Sequence, residues 1–84
     1  MKEITKGSPN RIKFAEEVRT DVLRKLNKYI ANASENLDKP SRAVIAQKQI
    51  SEWQQKIDIL SELDDAAKVV QLCRNEWDLY DRAY

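Results

Sequence analysis

Between residues 43 and 60 the apolar side chains fall at Ala43, Ala46, Ile50, Trp53, Ile57 and Leu60, in steps of 3, 4, 3, 4 and 3. That alternation is the seam of a helix laid against another helix, because 3.6 residues per turn bring every third or fourth side chain to the same face. A strand would repeat in steps of two. No Gly, Pro or Asn interrupts residues 43–74, and the whole chain of 84 residues holds one glycine and two prolines, too few turn formers for a many-stranded sheet. The fold class expected is all-α.

A second periodic stretch precedes the seam. Ser8 followed by Pro9 reads as a helix start, since a serine oxygen can accept from free amides while proline sits at the first helical position without losing a needed donor. From there Phe14, Val18, Val22, Leu26, Tyr29 or Ile30, and Ala33 recur at helical spacing, with Leu23 widening the stripe. Helix 1 is expected over 9–33, after a lead-in at 1–8 read as short and extended or mobile. The run Asn32 to Pro40 collects Asn, Ser, Asp and Pro, which compete with helix continuation, so a loop is expected at 34–41. Helix 2 is expected over 42–60 with Ser41 as its cap.

Beyond Leu60 the apolar positions Leu63, Ala67, Val70 and Trp77 keep the rhythm but slip by one residue. At the same place Ser61, Glu62, Asp64 and Asp65 resemble a helix N-terminus, a serine followed by carboxylates set against the positive end of the dipole. The expectation is a single domain over 1–84, an antiparallel helical hairpin whose long second arm is kinked or broken near 61–64. Residues 62–80 would be helix 3 or a continuation, and a full reversal would make a three-helix bundle. Unbroken, the second arm would run roughly 58 Å and outreach helix 1.

That overhang shapes the functional expectation. A domain of this size buries only about 60% of the surface its unfolded chain exposes. Leu63, Val70, Leu72, Trp77, Leu79, Tyr80 and Tyr84 supply more apolar surface than one helix face needs, so they are the expected interface with another copy or a protein partner. Residues 1–40 hold nine Lys/Arg against six Asp/Glu, whereas residues 41–84 hold six against eight. Halves of opposite charge suit antiparallel packing. The net charge of +1 disfavours a general nucleic-acid binder, whose affinity comes from many phosphate contacts.

Residue chemistry narrows the classes further. The chain has no histidine, which removes the commonest general base and metal ligand, so no enzyme, metal or cofactor is expected. The lone Cys73 follows Leu72 on an apolar helix and reads as a packing residue. Asp58, Glu62 and Asp65 would align on one helical face, but no calcium-loop spacing accompanies them, and a solvated acidic face is the plainer reading. Lys25, Lys28 and Tyr29 near the end of helix 1, with Lys39 and Arg42 at the start of helix 2, form one candidate anion or nucleotide site. Lys6, Arg11 and Lys13 around Ser8-Pro9 form a second. Each can equally complement a helix dipole and keep the surface solvated. A single cysteine, with no apolar leader or membrane span in these residues, makes the reducing cytoplasm the expected compartment.

Two local likenesses bear on these expectations. Lys39-Pro40-Ser41, Gln47, Ile50-Ser51-Glu52-Trp53 and Ser61 resemble the turn and second helix of type III secretion needle subunits, helical hairpins of this size, which implies a filament-forming subunit; the likeness ends at Ser61. Pro40-Ser41-Arg42 is similar to the start of a helix in small phage proteins that sequester cyclic nucleotides as helical homo-oligomers, whose histidine-containing N-terminal segment has no counterpart here. The expected function is a non-enzymatic, self-associating helical interaction module, a small accessory or inhibitory protein. The alternatives are an oligomeric binder of a nucleotide or other phosphate compound and a secretion-filament subunit.

Overall fold

The computed structural model describes residues 1–80. Helix accounts for 80% of the structure, with no strand among the described residues. Helix α1 spans Pro9–Ser34. Its start is the one the sequence implies: Pro9 opens the first turn and the Ser8 Oγ accepts a hydrogen bond from the Arg11 backbone N–H at 3.3 Å. Ala15, Val18, Val22 and Leu26 lie on its buried stripe, each with no exposed surface, which is the helical period read from the sequence.

A 3₁₀ turn, Glu35–Asp38, reverses the chain into helix α2, Pro40–Glu62. Ser41 is not its cap. Pro40 already occupies the first helical position, so Lys39 stands at the N-cap, without a side-chain hydrogen bond, and Ser41 falls inside the first turn. The hairpin is closed by rings, Tyr29 on Trp53 with centroids 5.5 Å apart.

The break falls at residues 63–65, on the stretch expected, but Ser61 does not cap the helix that follows it. α2 runs through Glu62, and Ser61 uses its hydroxyl to donate to the Ile57 carbonyl at 2.8 Å rather than to cap a new helix. Leu63 and Asp65 are extended, and Asp65 caps helix α3, Ala66–Val70, by accepting from the Ala67 N–H at 3.0 Å. α3 passes directly into a π-helical turn, Gln71–Glu76. The arm reverses fully and runs beside α1 in the same direction: a Cβ on Gly7 would meet Ala66, Phe14 packs edge-on against Tyr80 with centroids 6.0 Å apart, and the Lys25 Nζ donates to the Leu79 carbonyl at 2.9 Å.

A reversal without Gly, Pro or Asn is held by the lead-in. Backbone N–H groups of Lys2 (to Ser61), Thr5 and Lys6 (both to Asp64) donate to carbonyls of the break at 2.7–3.0 Å, and the Ala66 N–H returns a bond to the Lys6 carbonyl at 2.9 Å. Ile4 is buried, and the buried Arg19 donates from Nη1 to the Lys2 carbonyl at 2.7 Å. The lead-in is therefore an extended strap that supplies the partners that α2 loses where it ends. One core joins all three helices, with Val18, Val22, Leu26, Leu60, Val69 and Cys73 at its centre.

Candidate functional site

α1 is about 39 Å long and α2 about 35 Å, whereas α3 and its π turn reach only about 16 Å. Among the described residues the third element therefore covers the end of the hairpin nearest the lead-in and leaves the tip as two helices. The molecule is elongated accordingly, 49 × 25 × 17 Å. At the tip Ala33 and Ala46 are buried, and Leu37, Val44 and Ile45 stand in the open, Val44 at 76% and Ile45 at 61% of full exposure. Ile59, further along α2, is 47% exposed. These side chains escaped the sequence reading, although Ala43-Val44-Ile45-Ala46 is an apolar run wider than a two-helix seam can bury.

The C-terminal apolar residues have the opposite fate. Tyr80 is buried, Leu63, Val70, Trp77 and Leu79 are half-buried against the chain's own core, and Leu72 is half-buried. Trp77 packs with the Lys56 ammonium 5.8 Å from its ring centroid. The expected overhang does not arise, because the reversal at residues 63–65 folds the excess apolar surface back on α1 and α2. Tyr84 lies outside the described residues.

Neither basic group converges as a unit. Lys25 is spent on the Leu79 carbonyl, and Tyr29 packs tilted against Trp53 in the hairpin seam. Lys28 is exposed on α1, and Lys39 and Arg42 are exposed at the tip, where Arg42 borders a shallow 250 Å³ depression with Ile45 and Gln49. In the second group, the Lys6 ammonium is drawn to Asp64 at 3.8 Å, with Lys2 on the other carboxylate oxygen at 4.0 Å. Lys13 looks onto a wide polar furrow beside Glu16, Glu17 and Arg24. The carboxylates are split too: Asp58 accepts from the Gln54 side chain at 3.1 Å, Glu62 is exposed, and Asp65 caps α3. No group of three or more His, Cys, Asp or Glu suited to a metal ion occurs among the described residues.

Arg11 is the exception. It edges a 390 Å³ groove between the first turns of α1 and α3, whose apolar floor is Phe14, Ala66, Ala67 and Val70. Gln71, Arg74 and Asn75 of the π turn complete its lining. Among the described residues neither guanidinium has an acidic partner. Arg74 was invisible as a site residue because a regular helix through 62–80 gave no reason to group it with Arg11.

Cys73 is fully buried, and burial pushes its thiol from 9.0 up to about 12. That is a packing sulfur, not a nucleophile. No helix of the described residues is long and apolar enough to cross a membrane. No protein family, curated protein or solved structure matches the chain.

Proposed function

We propose that the chain is a non-enzymatic helical binding module, a small accessory or inhibitory protein that self-associates through the outer face of α2. The exposure of Val44 and Ile45 at the uncovered tip carries this reading, since large aliphatic groups there stay wetted until another chain covers them. Ile45 and Ile59 are fourteen residues apart, two heptads, so they share nearly one face about 21 Å apart along the axis. A two-fold, antiparallel pairing of α2 with α2 sets Ile45 of one copy against Ile59 of the other. The same register brings Arg42 level with the Glu62 of the second copy. Near the axis Glu52 meets its own equivalent, and Lys48, one turn along the same helix from Glu52, comes level with Lys56 of the second copy. A contact along one helix face, with a polar middle and apolar ends, suits reversible association.

The absence of histidine and the burial of Cys73 support a binding role over catalysis. Sedimentation velocity tests the reading. The wild-type chain is expected to show reversible dimerisation at high micromolar concentration, and Val44→Asp/Ile45→Asp to sediment as a monomer with unchanged helical circular dichroism, because both side chains are exposed. A wild-type chain that stays monomeric throughout would end the proposal.

A further inference from the structure

The groove beside Arg11 is independent of the α2 face and lies on the other side of the reversal. Three observations meet there. Its floor is apolar, with Phe14 and Val70 the larger contributors. Its rims carry two guanidinium groups, Arg11 from α1 and Arg74 from the π turn, with no carboxylate among the described lining residues. Gln71 and Asn75 flank Arg74 with amide donors. Two cationic side chains on one partly apolar groove of 390 Å³ repel each other, and an anion bound beside both would offset that repulsion.

The π turn is what builds this rim. A π-helical turn is rare, occurs mostly as a single-turn insertion in an α-helix, and is frequent at functional sites. Here it places residues 71, 74 and 75 together on the groove. The chain leaves it through Asp78 at φ 51°, a left-handed conformation that a non-glycine residue seldom adopts, before Leu79 and Tyr80 both bond the Cys73 carbonyl.

We propose that this groove binds a small amphipathic anion, a molecule with an apolar body and one carboxylate, sulfonate or phosphate group held between Arg11 and Arg74. The apolar body lies on Phe14 and Val70, and the head group takes charge-assisted hydrogen bonds from the two guanidinium forks. The volume suits a compact ligand of this kind. A bare inorganic ion leaves the floor wet, and an uncharged alcohol leaves the arginines unrelieved, so neither satisfies the groove.

Fluorescence titration of the full chain with anilinonaphthalene sulfonate, an aromatic anion of this class, tests the assignment. Expected is saturable binding of one probe per chain to the folded protein, displaced by octyl phosphate or octanoate but not by inorganic phosphate or octanol. Arg11→Gln and Arg74→Gln are each expected to weaken binding by roughly tenfold, while Lys13→Gln, outside the groove, leaves it unchanged. Circular dichroism of each variant separates lost binding from lost fold. Absence of saturable binding, equal displacement by octanol or by inorganic phosphate, or arginine variants that bind as wild type would each overturn the proposal. Because the readout is one probe per chain, the result stands apart from whether α2 dimerises.

Discussion

Gly7 shows how one small residue decides the path of the strap. Its φ of +133° is open to glycine and strained for any L side chain, and a Cβ there would come within 3.1 Å of the Ala66 Cβ. Gly7→Ala is expected to cost about 1–2 kcal/mol, lowering Tm on the order of 5–15 °C, which differential scanning calorimetry reads directly. Cys73 makes a second residue-scale prediction. Its folded thiol titrates near 12 instead of 9.0, so the stabilisation from keeping it neutral is complete below pH 9. As pH rises from 9.0 toward about 12 the unfolded thiol ionises while the folded one holds its proton, and stability falls across that window. Native protein is expected to resist an aromatic disulfide reagent at pH 8, reacting at the rate of unfolding. Rapid stoichiometric labelling would show the sulfur to be accessible.

At the scale of elements, the lead-in is the least conspicuous segment in the sequence and the one on which α3 depends. Four backbone hydrogen bonds and the buried Ile4 tie it to the end of α2 and the start of α3. Ile4→Ala is expected to destabilise the chain by about 2 kcal/mol and to do so unevenly. Hydrogen exchange should speed up at the amides of α3 and the π turn well before those of α1, since α3 alone is too short to be stable as a helix. Uniform loss of protection would mean that the strap supports the whole core equally. The Ser61 signal misled for a related reason. A serine followed by carboxylates looks the same whether it caps a helix or lies in the last turn of one, and the strap's hydrogen bonds choose where α2 stops.

At the scale of the whole molecule, the unequal lengths of the three helices leave one end covered and the other bare among the described residues. Charge follows the same axis on α2, with Lys39 and Arg42 toward the tip and Asp58 and Glu62 toward the reversal. If two copies pair antiparallel through this face, Arg42→Glu is expected to weaken dimerisation about three- to tenfold at low salt, and Arg42→Glu/Glu62→Arg to restore it. Sedimentation equilibrium of the three proteins checks this. An additive loss in the double variant would place the contact elsewhere.

The sequence by itself determined the helical class, the start of α1 at Ser8-Pro9, the seam along α2 and a break near 61–64, because periodicity, capping and proline geometry are local properties. Tertiary structure decided the rest. Whether the arm bends or reverses depends on hydrogen bonds from a segment some sixty residues away, and on that reversal depend the burial of Tyr80, the dispersal of the expected basic clusters and the meeting of Arg11 with Arg74. Side-chain spacing records which face a residue takes on its own helix; it carries no record of which face of another helix arrives opposite.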